Sequence, residues 1–452
     1  MKKIFTMLFV LLLMVSFAYG QNQWTYVSGF PTPNPPANSL SVVNSTTMWV
    51  VCTATGGAAR VYKTTNAGLN WTLANGGLSS QDLYGVSGLD ASNCWIGTVG
   101  GSIYRTSNGG TNWTQQIAVS GSFINGIKMF NLNYGVYIGD PTGSGQPYQF
   151  RYTTNGGTNW TISPSAPIAG SEWGVINAWD WTDSLHFWTG SVNTIPNSTT
   201  TKIYYTSTGF PGTWQNTLVT GTGGTQGLYY QAVAFVDNNN GLIGSSGANI
   251  IKTTNGGLTF SNVTAPPILG TSFAVMNMTS VKSAGIIRMA VDTGGGTILM
   301  RTSNLGTSWV QEALPTAAAV NIIADMEFLN ENLGFAILGS TTVPLGGFLR
   351  YGPASGINPV GNEIPEGFKL EQNYPNPFNP GTTVKFSIPK AQYVTLKVYD
   401  ALGKELDILV SEFMAAGNYS VFYDAVRHPS GVYFYKITTD SFTDIKKMML
   451  VK

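Results

Sequence analysis

Two carboxyl groups held across one cleft can hydrolyse a glycosidic bond, one as the acid and the other as nucleophile or base. In this chain the carboxylates whose positions suit that task are Asp82, Glu172 and Asp325, joined by Asp180 and Asp292. Trp173, Trp179, Trp181, Tyr229 and Tyr230 stand near them in sequence or in repeat position, and their flat apolar faces would stack on sugar rings. Several of these residues fall in one segment, 155–208, which makes it the first choice for a ligand loop. The structural alternative is that the aromatics are core between sheets and the carboxylates are solvated. Other chemistries lack residues. His is nearly absent, and His186 lies in a repeated strand region, which points to a structural role. No His, Cys and carboxylate cluster has metal-ligand spacing. There is no Gly-x-Ser-x-Gly elbow and no phosphate loop. The sequence therefore assigns no catalytic residue, no metal and no cofactor.

The elements that would position these residues are repeats. An eight-residue pattern runs Thr64-Thr65-Asn66-Ala67-Gly68-Leu69-Asn70-Trp71 and returns at 106–113, 153–160, 253–260 and 302–309. A copy with one extra residue occupies 206–214. The third positions are 42, 47, 53, 47 and 49 residues apart, the range of propeller blades. Each copy follows a short strand such as Ile103-Tyr104-Arg105. The Asn side chain accepts from N–H groups ahead of it, the Thr hydroxyl supports the same bend, and the Gly two residues later takes positive φ. The Trp opens the next strand. A second half-motif precedes each box: an apolar strand, a polar turn, then another apolar strand. It occurs seven times, near 40–51, 89–97, 130–139, 180–190, 235–244, 281–291 and 328–339. The seventh has the strand Gly347-Phe348-Leu349-Arg350-Tyr351 but no box Trp after it. Gln23-Trp24-Thr25-Tyr26-Val27 reads like the missing strand. The expected fold is all-β, a seven-bladed β-propeller over 21–352 whose N-terminal strand completes the last blade and removes the open edge.

The box resembles the Asp-box (BNR) repeat of sialidase-like propellers and of photosystem II assembly-factor-type propellers, with Asn where Asp is usual. A sialidase-type site would need three arginines, an acid and a tyrosine nucleophile. Arg105 and Arg301 share a repeat position with Lys63 and Lys252, and Arg151 and Arg350 lie in equivalent strands, so a repeated structural job explains them. Only Arg60 and Arg288 fall outside that pattern, too few for a triad.

The ends set the compartment. Lys2 and Lys3 precede an apolar run from Ile4 to Phe17, and Ala18 and Gly20 put small residues at −3 and −1 of a cut before Gln21. This is the secretory pattern, a signal peptide over 1–20. No later segment offers the roughly 20 apolar residues of a membrane span. The net charge is +1 and only 10% of residues are charged, so nucleic acid is not an expected partner. Cys52 and Cys94 occupy unmatched positions of the first two repeats; two buried free thiols and an inter-blade bridge both fit.

After a linker over 353–367 the composition changes. Phe368 to Lys452 contains Asn373-Tyr374-Pro375-Asn376-Pro377-Phe378-Asn379-Pro380, Val394-Thr395-Leu396-Lys397-Val398-Tyr399, Gly431-Val432-Tyr433 and the closing Lys446-Lys447-Met448-Met449-Leu450-Val451-Lys452. This region resembles the type A sorting domain of the type IX secretion system of Bacteroidetes. Its period-two strands suggest a small immunoglobulin-like β-sandwich. The resemblance implies that the type IX machinery is a partner through 368–452 and that the chain is secreted or displayed at the outer-membrane surface. Together these features read as a non-catalytic binding or adhesion propeller for a glycan or protein, with Trp173, Trp179, Trp181 and Tyr230 as ligand residues. The alternatives are a polysaccharide hydrolase using paired channel carboxylates, and an envelope assembly factor.

Overall fold

The computed structural model describes residues 22–452 apart from 28, 32–35, 56–57, 69, 223–226, 316–317, 319–320, 340–346, 354–357, 360–364, 415 and 426–427. The expected signal peptide and its cut at Gly20 and Gln21 lie outside the described residues, as does much of the expected linker.

Within Asn22–Pro353 the described strands make seven four-stranded sheets and one two-stranded ladder, paired antiparallel throughout. Five of the four-stranded sheets are consecutive in sequence, for example Leu83–Gly88, Cys94–Thr98, Ser102–Thr106 and Thr114–Ala118, and a sixth is interrupted only by Val192–Asn193 of the two-stranded ladder. The seventh contains Ile322–Asn330, Leu333–Gly339, Gly347–Pro353 and, at its edge, Asn22–Val27, in the register Trp24 opposite Tyr351.

Local chemistry explains the punctuation. In the third box the Thr153 hydroxyl accepts from the N–H groups of Asn155 (3.3 Å) and Gly157 (2.8 Å) and donates to Asn155 Oδ1 (3.0 Å). Asn155 Oδ1 in turn accepts from Asn159 N–H at 2.9 Å. The same set recurs around Asn66, Asn108, Asn255 and Asn304. In the degenerate copy the Thr208 hydroxyl accepts from Thr213 N–H. Gly157 sits at φ 93°, where a Cβ would be strained. The hairpins between first and second strands use a second device. Asn44, Asp90, Asn131, Asp183 and Asp237 each accept two backbone N–H groups two and three residues ahead.

Neighbouring sheets are tied by the second-strand tryptophans. Trp49, Trp95 and Trp188 are essentially inaccessible and donate Nε1–H to carbonyls of the next sheet, those of Asp90, Gly156 and Gly256. Lys63 and Arg105 lie over the Trp49 and Trp95 rings and donate to the box carbonyls of Gly109 and Gly156. The repeated basic position thus has a repeated structural job. Packing leaves no room at Gly88, where a Cβ would meet the Trp49 ring at 2.3 Å. Cys52 and Cys94 are both buried and free, so the two-thiol alternative holds.

Arg288 is the largest charged group in the interior. Its side chain is 1% exposed and its Nε donates to both Glu312 oxygens at 3.1 Å. The guanidinium lies over Phe328 and Tyr351 at 4.1 and 4.4 Å. Glu312 also accepts from Trp24 Nε1–H at 3.0 Å, linking the sixth sheet to the N-terminal strand.

The C-terminal region forms two four-stranded sheets around one core that includes Val384, Phe386, Leu396, Val398, Tyr435 and Ile437. Gln392–Tyr399 buries every second residue, as a two-faced strand should. Asn358–Pro359, inside the expected linker, pairs with Gly417–Asp424 as an edge strand of this region.

Candidate functional site

First strands of neighbouring sheets among the seven pack on one another; Ala37–Val42, for instance, packs against both Leu83–Gly88 and Ile322–Asn330. A cavity of about 390 Å³ at the C-terminal ends of these strands is lined by residues of all seven. A second cavity, of about 420 Å³, lies at their N-terminal ends. The two cavities thus form a first and a second mouth at opposite ends of the same strands.

Four of the residues singled out in the sequence meet at the first mouth: Trp179, Asp180, Trp181 and Asp325. Trp179 and Trp181 lie with centroids 4.9 Å apart. The other residues are elsewhere. Asp82 accepts from Ala54 N–H at 2.7 Å, tying the second sheet to the first. Glu172 is buried, accepts from Gly170 N–H at 3.1 Å and pairs with Lys202 at 3.0 Å, on a two-stranded ladder with Val192–Asn193. Asp292 accepts from Gly294 N–H at 2.8 Å in a turn. Tyr230 is fully buried, its hydroxyl donating to Thr220 O at 3.1 Å, and Trp173 packs on the same core. Tyr229 belongs to the second mouth. His186 pairs with Asp183 at 2.9 Å within one hairpin.

Sequence reasoning missed Glu327, Lys128, Lys282 and the serines at 41 and 87. A signal for them existed in the repeat register. Ser41, Ser87, Asp180 and Glu327 each sit opposite the second-strand aromatic of their sheet: Trp49, Trp95, Trp188 and Phe335. Each uses that position in the same way, accepting a backbone N–H from the next first strand. Ser41 accepts from Gly88 (3.0 Å), Ser87 from Met129 (2.9 Å), Asp180 from Phe235 (2.7 Å) and Glu327 from Val42. Asp325 makes a parallel link to Leu40 N–H at 2.9 Å. It also accepts from Ser39, from Met326 N–H and, at 3.3 Å, from Asn277. These carboxylates hold adjacent sheets together, which is neither of the roles weighed from sequence.

The electrostatics follow from burial. Burial raises the Asp325 carboxyl to about 7; the bond from Leu40 opposes this and the neighbouring Glu327 adds to it. Glu327 is also raised by burial, with Lys128 opposing. Asp180 is paired with Lys282 at 3.0 Å. Both lysine ammoniums approach the Trp181 ring, at 4.8 and 5.9 Å. The mouth is thus a mixed-charge surface built around one tryptophan. Among the described residues no group of three or more His, Cys, Asp or Glu could hold a metal ion, and no helix is long and apolar enough to cross a membrane.

Several solved structures share the fold of this region. YCF48 bound to D1 peptide superposes with a TM-score of 0.53 at 17% identity, covering 74% of this chain and 97% of that one. YCF48 from Cyanidioschyzon merolae gives 0.52 at 16%, covering 73% and 98%. The WD40 repeats of RRP9 give 0.52 at 8%, covering 74% and 99%. The fold of this region is that of a β-propeller. Residues 372–452 match the family model described as Secretion system C-terminal sorting domain, which indicates sorting through type IX secretion. No curated protein matches the chain.

Proposed function

We propose that the chain is an exported, non-catalytic binding module, delivered to the cell surface or the medium by its sorting domain at 368–452. Its propeller has seven blades closed into a ring by Asn22–Val27, and it engages a glycan or protein partner at the first channel mouth through Trp179 and Trp181. One observation carries the non-catalytic reading. Asp180, Asp325 and Glu327 spend oxygens on backbone groups of the neighbouring sheet, and Asp180 also pairs with Lys282. A hydrolytic pair would need, besides an acid that can hold a proton near neutral pH as Asp325 can, a second carboxylate free to act as base towards substrate. That one fold-relative is a peptide complex supports a binding role for this architecture. The gathering of Asp180 and Asp325 on one cavity is what favours a hydrolase as the second reading.

The test is a glycan-array and polysaccharide-hydrolysis screen on the mature chain beside Trp181→Ala and Asp325→Asn. Binding without product, lost in Trp181→Ala, is the expected outcome. Product release abolished by Asp325→Asn in a folded variant would replace the binding module with a hydrolase.

A further inference from the structure

The second mouth has a different chemistry from the first. Among the described residues that line it there is no Lys, Arg or His. Its single carboxylate, Asp140, is half satisfied. Oδ1 accepts from Asn125 Nδ2 at 2.8 Å and from Gly174 N–H at 2.9 Å, whereas Oδ2 has no protein partner among the described residues. Gly174 makes that approach possible, because a Cβ there would stand 2.6 Å from Asp140 Oδ1 and 2.3 Å from Asn125 Nδ2.

The side-chain amides of this mouth point the same way. Asn38 donates to Leu83 O (2.8 Å), Gln231 to Val275 O (2.9 Å), Asn177 to Asn38 O (2.9 Å) and Asn125 to the Asp140 carboxylate. Each partner is a carbonyl or carboxylate oxygen, which only accepts, so the amide orientations are fixed by chemistry. The nitrogens are thus engaged by protein oxygens, and the side-chain oxygens of Asn125, Asn177 and Gln231 have no hydrogen-bond partner among the described residues. The mouth therefore offers acceptors and few donors. Tyr84, Phe123 and Tyr229 add aromatic faces, and Met276 and Ile322 add an apolar rim, Ile322 being 37% exposed.

A surface rich in acceptors, free of cations and lined with rings is complementary to a nitrogen cation on an aliphatic stem. We propose that this second mouth is a docking site for a Lys or Arg side chain of a protein partner: the cation is bound by Asp140 Oδ2 and the amide oxygens beside the aromatic rings, and the stem lies on Met276 and Ile322. An anionic group is rejected here. A neutral sugar could donate a hydroxyl to Asp140 but brings no cation to match its charge and no aliphatic stem for the apolar rim. The site is independent of the ligand reading for the first mouth.

The experiment is a ligand-observed NMR titration of the mature full chain. The probes are a short peptide with one central Lys, the same peptide with norleucine in its place, and a neutral hexose oligomer. The Lys peptide binds and the norleucine peptide is weaker by about tenfold or more, the scale of one charge-assisted contact. Asp140→Asn gives a similar loss. Gln231→Lys, which sets a competing cation in the mouth, abolishes binding even if Asp140→Asn fails to fold. Trp181→Ala, at the opposite mouth, leaves it unchanged. Any of four results overturns the proposal: equal binding of both peptides, Lys-peptide binding that survives in folded Asp140→Asn and Gln231→Lys, loss of that binding in Trp181→Ala, or no peptide binding at millimolar concentration. Hexose binding that depends on Asp140 also overturns it, assigning the mouth to glycans.

Discussion

Replacing Glu312 with alanine should be among the most damaging single changes outside the apolar core. Glu312 neutralises Arg288, whose side chain is 1% exposed, accepts the indole N–H of Trp24 and lies 3.3 Å from Arg301. Removing one partner of a buried pair strands a charge that cannot reach water, at a cost of about 3–5 kcal/mol. The lost indole bond adds about 1 kcal/mol. The Arg301 contact adds little, because that side chain is 36% exposed and screened by solvent. Arg288 also lies against Phe328 and Tyr351, two rings in edge contact with each other, so an apolar replacement of the whole pair should pack well. The assay is urea unfolding of the mature chain followed by tryptophan fluorescence, for Glu312→Ala, Arg288→Met and the double variant Arg288→Met/Glu312→Leu. The single Glu312→Ala is expected to lose about 4 kcal/mol and the double variant to recover most of it. Amide exchange in Asn22–Val27 should rise in the single variant, since Trp24 loses its acceptor. A loss below about 1 kcal/mol for Glu312→Ala, or a double variant as unstable as the single one, would refute the reasoning.

The box turns and the buried carboxylates give two further tests. Thr153→Val removes a hydroxyl that accepts two N–H groups and donates to Asn155; it should cost about 1–3 kcal/mol by thermal melting, with Thr153→Ser restoring most of the loss. Stability should also depend on pH in a definite direction. Folding raises Asp325 from 3.8 to about 7 and Asp140 to about 6, so the folded state holds more protons than the unfolded one between those limits. Their contribution is full below about pH 4 and is lost as pH rises towards 7, while the lowered turn carboxylates Asp90, Asp183 and Asp237 lose theirs only below about pH 4. Melting temperature should therefore be higher at pH 5 than at pH 8, and Asp325→Asn should flatten the difference; an unchanged profile in that variant would show that Asp325 titrates normally.

The turns, strand order and sorting tail could be read directly from the chain because they rest on local chemistry. A Thr hydroxyl and an Asn carbonyl two residues on satisfy N–H groups within the same eight residues, so the Asn155 turn is written wholly in its own segment. The alternation of Gln392–Tyr399 likewise states which side chains face a core. The first mouth could not be read this way. Lys128, Asp180 and Glu327 lie on three different sheets and Lys282 on the turn that follows the first strand of a fourth, and their meeting depends on how each sheet packs against its neighbours. Sequence placed Glu172 beside Trp179 in one insertion, yet the fold turns Glu172 to Lys202 and Trp179 to the first mouth. The sense in which Asn38, Asn125 and Gln231 present their amides was equally hidden, because carbonyl partners brought in by packing decide it. Bonds between near neighbours in the chain are set by residue type and spacing, whereas bonds between strands dozens of residues apart exist only once the sheets have packed against one another.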